Sequence, residues 1–299
     1  MYEKLLVPLD GSKVAEQILP YARLLAGKLA VPVELVGVID VAALAAHVSA
    51  GKTRYLDTLV AEEVRSSGEY LKGVAGSFSA VSIKYTIERG KPEEVIIGKA
   101  AADKGTLIAM ATHGRSGINR WLLGSVAEKV LRGATNPLLL VRAPEGAKTE
   151  GEGTLKSIIV PLDGSELAER VLPHVTALAK KMALKIVVVR AYRLRQIISS
   201  YYDYIPDWEA LEAESKGVAI SYLDSKVRQL KSEGLVEMCP IVSEGEAAEN
   251  IIDLAKEIAN SLVAMCTHGR SGVQRWVLGS VTEKVARHSG GPILIIRAA

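Results

Sequence analysis

The feature that most constrains this chain is a repetition. The segment Val7-Pro8-Leu9-Asp10-Gly11-Ser12 returns unchanged as Val160-Pro161-Leu162-Asp163-Gly164-Ser165, 153 positions later. Thr112-His113-Gly114-Arg115-Ser116-Gly117 then returns as Thr267-His268-Gly269-Arg270-Ser271-Gly272, and Leu123-Gly124-Ser125-Val126 as Leu278-Gly279-Ser280-Val281, now 155 positions apart. A repeat of this length is a whole domain rather than a short stacking unit. The change of offset means that the second copy has gained two residues, in the variable stretch between its second and third strands. The copies are expected over 1–143 and 155–299. Between them, 144–154 carries Pro144, Gly146, Gly151 and Gly153 among small and polar residues without an apolar period, the composition of a linker.

Within each copy, short β-branched runs alternate with longer amphipathic ones, the pattern of βαβ units on a parallel sheet. In the first copy strands are expected near 4–9, 33–39, 82–88, 107–111 and 138–141, with four helices between them. These runs hold too many adjacent apolar residues to leave one face in water, so helices should cover both faces. The fold class is therefore α/β: two tandem three-layer α/β/α domains, each around a five-stranded parallel sheet. The final runs Leu138–Val141 and Ile293–Ile296 would lie at sheet edges, and an uncovered apolar edge invites pairing. The copies are expected to cover each other as an intramolecular pseudo-dimer, with the remaining surface open to a homodimer.

Composition sets limits on partners. A chain of 299 residues with 48% hydrophobic content can bury two cores. A net charge of +3 is near neutral for that length and argues against a surface committed to nucleic acid or anionic lipid. The two cysteines, Cys239 and Cys266, cannot supply a disulfide framework, which fits a reducing compartment. The first apolar stretch ends at Asp10, too soon for a signal-peptide core or a membrane span. A cytoplasmic protein that engages no membrane is the expectation.

Both repeated motifs fall at the carboxyl ends of expected strands, where open α/β sheets bind ligands. Asp10 closes the first strand and would face that crevice, as would Asp163; the alternative is that each only orders a turn, with Ser12 as a helix cap. The second motif runs from a buried strand through Gly114 and Gly117 to Gly124-Ser125 at a helix start, gathering backbone N–H groups that suit phosphate. One helix end contributes only about 0.3–1 kcal/mol, against roughly 8 kcal/mol for micromolar binding, so Arg115 and several amides would have to help. At Ser125 a capping box competes, because Ser125-Val126-Ala127-Glu128 and Ser280-Val281-Thr282-Glu283 both fit one.

His113 and His268 lack a second histidine, cysteine or carboxylate at metal or triad spacing, and are expected to serve loop packing or hydrogen bonding. In the pairs Arg120-Trp121 and Arg275-Trp276 the tryptophan should pack under the loop while the arginine faces solvent or phosphate. The aromatic cluster Tyr201–Trp208, ahead of a helix starting near Pro206, is private to the second copy; a partner surface and a roof over the neighbouring helix are equally open readings. No lysine follows the glycines as in a Walker loop, and no nucleophile sits beside a base, so binding without efficient turnover is expected.

Taken together these motifs resemble the universal stress protein family in its tandem form, over about Tyr2 to Arg142 and Leu155 to Arg297. The resemblance implies a Rossmann-like fold of the adenine nucleotide alpha hydrolase type. Its ATP-binding members carry glycine, two residues, glycine, nine residues, then glycine followed by serine or threonine. Gly114, Gly124 and Ser125 match the later positions, as do Gly269, Gly279 and Ser280, but the first glycine is Ala111 in one copy and Cys266 in the other.

By resemblance Pro8, Leu9, Asp10, Val38, Met110 and Ala111 would surround adenine and ribose, while Gly114, Arg115, Gly117, Gly124, Ser125 and Val126 would hold phosphates. The matching set is Pro161, Leu162, Asp163, Ala191, Met265, Cys266, Gly269, Arg270, Gly272, Gly279, Ser280 and Val281. The ligand so implied is ATP, with Mg2+ as its companion ion, in a stress-response regulator that acts through an unnamed protein partner; AMP and cyclic nucleotides stay open. The extra bulk of Cys266 threatens a clash with ligand, so the second site is the less secure of the two expectations. The rival readings are a nucleotide-independent interaction module, favoured by the substituted glycines and the edge strands, and a slow ATPase or autophosphorylating protein in which Asp10 or Asp163 places a metal.

Overall fold

The computed structural model describes residues 2–46, 55–79, 81–112, 123–142, 149–193, 208–269 and 278–297. The first half contributes strands β1 (Lys4–Pro8), β2 (Val33–Ile39), β3 (Ile83–Arg89), β4 (Thr106–Ala111) and β5 (Leu138–Val141). The second contributes β6 (Ser157–Pro161), β7 (Lys185–Tyr192), β8 (Met238–Glu244), β9 (Ser261–Cys266) and β10 (Ile293–Ile296). They form one ten-stranded sheet in the order β3-β2-β1-β4-β5-β10-β9-β6-β7-β8. Pairing is parallel within each half, and the halves join through β5 and β10, antiparallel, with Leu139 opposite Leu294. The two runs read as exposed edges are thus the middle of the sheet, each covering the other. The outer strands β3 and β8 are more polar, and β3 exposes Lys84, Tyr85 and Arg89, charge that discourages further pairing.

Strand register locates the two extra residues of the second half. Leu5 faces Val33 and Ile158 faces Ile186, an offset of 153 in both strands. Val33 then faces Ile83 and Ile186 faces Met238, so the third strands differ by 155. The insertion lies between β7 and β8.

A 3-10 turn (Ala15–Ile18) leads into α1 (Leu19–Leu29), followed by α2 (Val41–Ala46), α3 (Leu56–Ala75), α4 (Pro92–Ala101) and α5 (Ser125–Gly133). The second half has α6 (Glu166–Glu169), α7 (Leu172–Met182), α8 (Trp208–Ser232), α9 (Ala247–Glu257) and α10 (Ser280–His288). The expected four connections are helical, but the one from β2 to β3 carries α2 ahead of α3, started where Asp40 Oδ1 accepts the Ala43 N–H at 2.9 Å. Residues 201–207 lie outside the described residues, and α8 starts at Trp208.

Side chains alternate across the strands, so the apolar runs feed two cores, one on each sheet face. Leu5 and Val7 enter the core shared with α1, α3, α7 and α8, while Leu6 and Ile108 enter the one shared with α4, α5, α9 and α10. Leu5 and Leu6 are both fully buried, each worth about 1.5–3 kcal/mol of transfer free energy. Tyr2 joins the halves from outside the sheet through a 2.8 Å hydrogen bond between its hydroxyl and His174 Nδ1 on α7. Among the described residues no helix is long and apolar enough to cross a membrane.

Candidate functional site

In each half the chain turns back between the first and fourth strands, which leaves a crevice beyond their carboxyl ends, beside β1 and β4 or β6 and β9. A cavity of about 220 Å³ opens in the first crevice and one of about 240 Å³ in the second.

One wall is built by the Asp-Gly-Ser repeat. Gly11 and Gly164 take left-handed φ values of 81° and 88°, which fold the chain back onto the preceding aspartate. Asp10 Oδ1 accepts the Ser12 N–H at 3.0 Å and its hydroxyl at 2.7 Å, and Ser12 Oγ in turn accepts the Ala15 N–H at 3.1 Å. The second half repeats this: Asp163 Oδ1 accepts from Ser165 N and Oγ at 2.9 and 2.6 Å, and Ser165 Oγ accepts the Ala168 N–H at 3.2 Å as N-cap of α6. The two readings of Asp10 are therefore compatible, since the carboxylate orders the turn and also lines the cavity.

The opposite wall is the start of α5 or α10. Gly124 and Gly279 sit at the N-caps and donate their N–H groups to the Thr112 and Thr267 carbonyls at 2.8 and 2.9 Å. A β-carbon at 279 would come within 2.7 Å of the Thr267 oxygen, so close backbone approach is what requires glycine there. Ser125 and Ser280 are consequently the first helical residues, and no side chain caps either helix. The competing capping boxes do not form. Glu128 and Glu283 instead pair with Arg132 and Arg287. First-turn N–H groups are left at the cavity wall, the arrangement that attracts anions.

The nominated residues within the described chain converge. Pro8, Leu9, Asp10, Val38, Met110, Ala111, Gly124, Ser125 and Val126 line the first cavity. Pro161, Leu162, Asp163, Ala191, Met265, Cys266, Gly269, Gly279, Ser280 and Val281 line the second. Gly114, Arg115, Gly117, Arg270 and Gly272 lie outside the described residues, as do His113, Arg120, Trp121, Arg275 and Trp276.

Sequence reasoning missed the floor contributed by the next helix, Pro92 and Ile96 from α4 and their counterparts Ala247 and Ile251 from α9. It also missed Thr282, whose hydroxyl donates to the Cys266 carbonyl at 2.9 Å where the first half has Ala127. His268 holds Thr267 Oγ1 at 3.0 Å through Nδ1, and its Nε2 is buried at the second cavity without a hydrogen-bond partner among the described residues.

Cys266 lines the second cavity where the first half has Ala111. Its side chain is only 5% exposed and its thiol donates to the Ala168 carbonyl at 3.6 Å, directed at α6. Burial pushes the thiol up to about 12. The second cavity is no smaller than the first, and the bulk of sulfur is taken up beneath α6. Among the described residues no group of three or more His, Cys, Asp or Glu side chains is placed to hold a metal.

The chain matches the family model of the universal stress protein family twice, over residues 1–142 and 154–297. It is 32% identical to Universal stress protein MJ0531 of Methanocaldococcus jannaschii over 145 residues, which covers 48% of this chain and 85% of that one. Universal stress protein YxiE of Bacillus subtilis is 28% identical over 145 residues, covering 47% of this chain and 97% of that one. Among solved structures, a universal stress protein from Archaeoglobus fulgidus superposes with a TM-score of 0.71 over 99% of this chain and 98% of that one, at 20% identity, a likeness of fold.

Proposed function

This chain belongs to the universal stress protein family, and on that premise we propose that it is a cytoplasmic regulator that binds an adenine nucleotide, ATP first among them, in both halves and acts through a protein partner. The observation that carries the proposal is the repetition of one construction. In each half an apolar crevice and an uncapped helix start wall the same cavity.

Val36, Val38, Ile96 and Met110 offer the apolar surface that a base needs, and the starts of α5 and α10 offer N–H groups to phosphates. Mg2+ normally arrives on nucleotide phosphates with one or two carboxylates; Asp10 and Asp163 are the carboxylates of the two cavities and would supply that charge. With no lysine after the glycines as in a Walker loop, the protein holds its nucleotide rather than turning it over efficiently.

The test is to denature freshly purified protein, identify released nucleotide by chromatography, and titrate the stripped protein with ATP by calorimetry. Two sites per chain are expected. A single site would restrict the proposal to one half, and no binding would replace it with a ligand-free interaction module.

A further inference from the structure

The two cavities differ on the wall that would take the base. In the first half Val36, Val38, Ile96 and Met110 make its apolar end. In the second the same places hold Val189, Ala191, Ile251 and Met265, and helix α9 adds a polar side chain, Asn250. The counterpart of Asn250 is Val95, which is not among the described residues lining the first cavity.

Backbone register sets that correspondence. The Val95 N–H donates to the Lys91 carbonyl at 3.1 Å and the Asn250 N–H to the Glu246 carbonyl at 3.0 Å, each in the first turn of its helix. Ahead of each helix stands a glycine of positive φ, Gly90 at 141° and Gly245 at 109°. Both side chains lie over that turn: a β-carbon at 90 would meet Val95 Cγ2 at 3.3 Å, and one at 245 would meet Asn250 Nδ2 and Oδ1 at 3.9 Å each. In the second half the turn also orients the amide, because Asn250 Nδ2 donates to the Glu244 carbonyl at the end of β8, at 3.0 Å. Only the nitrogen can donate there, which leaves Oδ1 as an acceptor on a side chain that lines the cavity.

We propose that Asn250 makes the second half selective for adenine, its Oδ1 accepting a hydrogen bond from the exocyclic amine of the base. The proposal rests on the reading of both cavities as nucleotide sites. Val95 has no such group to offer, so the first half is the more tolerant of the two. Hypoxanthine has nearly the same shape as adenine with a carbonyl in place of the amine, and would set one acceptor against another. Turning the amide round to present its nitrogen would give up the bond to Glu244. An acceptor held in this way discriminates where an apolar wall cannot, because the wrong base leaves it unpaired.

The full chain is titrated calorimetrically with ATP and with inosine triphosphate. The ratio of ATP affinity to inosine triphosphate affinity is expected to be about tenfold larger at one site than at the other. Asn250→Val, which copies the first half, should lower that ratio about tenfold by weakening ATP, and Val95→Asn should raise it at the other site. If Asn250 served only the turn after β8, its loss would weaken both nucleotides alike and leave the ratio where it was, which overturns the proposal. Equal ratios at the two sites of the parent, or a ratio moved by neither variant, overturn it as well. Should Asn250→Val fail to fold, Val95→Asn decides: a raised ratio at the first site supports the proposal and an unchanged one overturns it. Failure of the nucleotide reading looks different, for then neither triphosphate binds, whereas two ATP sites with equal ratios leave that reading standing and remove only the role of Asn250.

Discussion

Asp163 Oδ2 occupies the space that a β-carbon at position 269 would need. The carboxylate that closes the Asp-Gly-Ser turn of the second half therefore also fixes the start of the glycine-bearing loop after β9, and only glycine fits between them. Gly269→Ala must displace either the carboxylate or the loop. Overpacking of this kind costs about 1–3 kcal/mol, read as a lower melting temperature. Because both displaced groups line the second cavity, ATP stoichiometry should fall from two to one, with the first site unchanged. Two sites of parental affinity in this variant would count against Asp163 and Gly269 as parts of one binding wall.

The buried thiol of Cys266 makes stability depend on pH in a calculable direction. Its ordinary value of 9.0 rises to about 12 in the folded protein because burial disfavours the thiolate. The native state thus holds this proton more firmly than the unfolded chain. The contribution is complete below about pH 9 and is lost as the pH rises through about 12. Cys266→Ala, which installs the residue of the first half, should cost about 1 kcal/mol near neutral pH. The difference from the parent should then shrink by up to roughly 1.4 kcal/mol per pH unit above that threshold, as urea melts at stepped pH will record. A difference that stays level to pH 11 would mean that the thiol is not desolvated.

What the sequence makes legible here is what repeats and what is periodic. The five strands of the first half follow from short β-branched runs, their counterparts from the repeat, and the two cavities from motifs that must fall at strand ends. Helix α2 was not legible, because six residues of mostly alanine and valine span too few turns to show a period. Ile96 and Ile251 look like any residues of an amphipathic helix, and only the rotation of α4 and α9 on the sheet brings them to the cavities. The capping boxes satisfied a local rule, but the approach of Gly124 and Gly279 to the preceding carbonyls moved the cap onto glycine. The size of Cys266 does not give its direction, which strand alternation sets: its side chain goes with that of Ala264 into the core under α6 and α7.

Two helices end on a left-handed alanine. Ala30 after α1 and Ala183 after α7 have φ values of 55° and 53°, and each donates its N–H to the helix carbonyl four residues back. Both side chains are exposed, so little packing is lost by removing the methyl group. A left-handed conformation costs an L-residue about 1–2 kcal/mol that glycine avoids, against which glycine has the more flexible unfolded chain. Ala30→Gly and Ala183→Gly should each stabilise the protein by about 0.5–1 kcal/mol and act additively, since they lie in separate helices. Chemical denaturation of the single and double variants measures this, and a loss of stability in either would show that the methyl group is packed.

Charged residues at the junction of the halves obey the same pseudo-symmetry. Arg132 reaches Glu128 at 3.2 Å and Glu283 at 3.5 Å, while Arg287 reaches Glu283 at 2.8 Å and Glu128 at 3.5 Å. Arg142 donates to the Arg287 carbonyl and Arg297 Nη1 to the Leu131 carbonyl at 3.3 Å, so each half places an arginine at the carboxyl end of the other's helix, where a cation is favoured. The cluster is partly exposed, with side chains 21–41% accessible, so solvent limits each pair to about 0–1 kcal/mol. Leu139 is by contrast 2% exposed on β5 against β10, and Leu139→Ala should cost about 2–5 kcal/mol. A double-mutant cycle with Arg132→Ala and Glu283→Ala is expected to return a coupling of about 0.5–1 kcal/mol, diminished in concentrated salt. If that coupling exceeded the loss at Leu139, ion pairing rather than the apolar strand pair would be what holds the halves together.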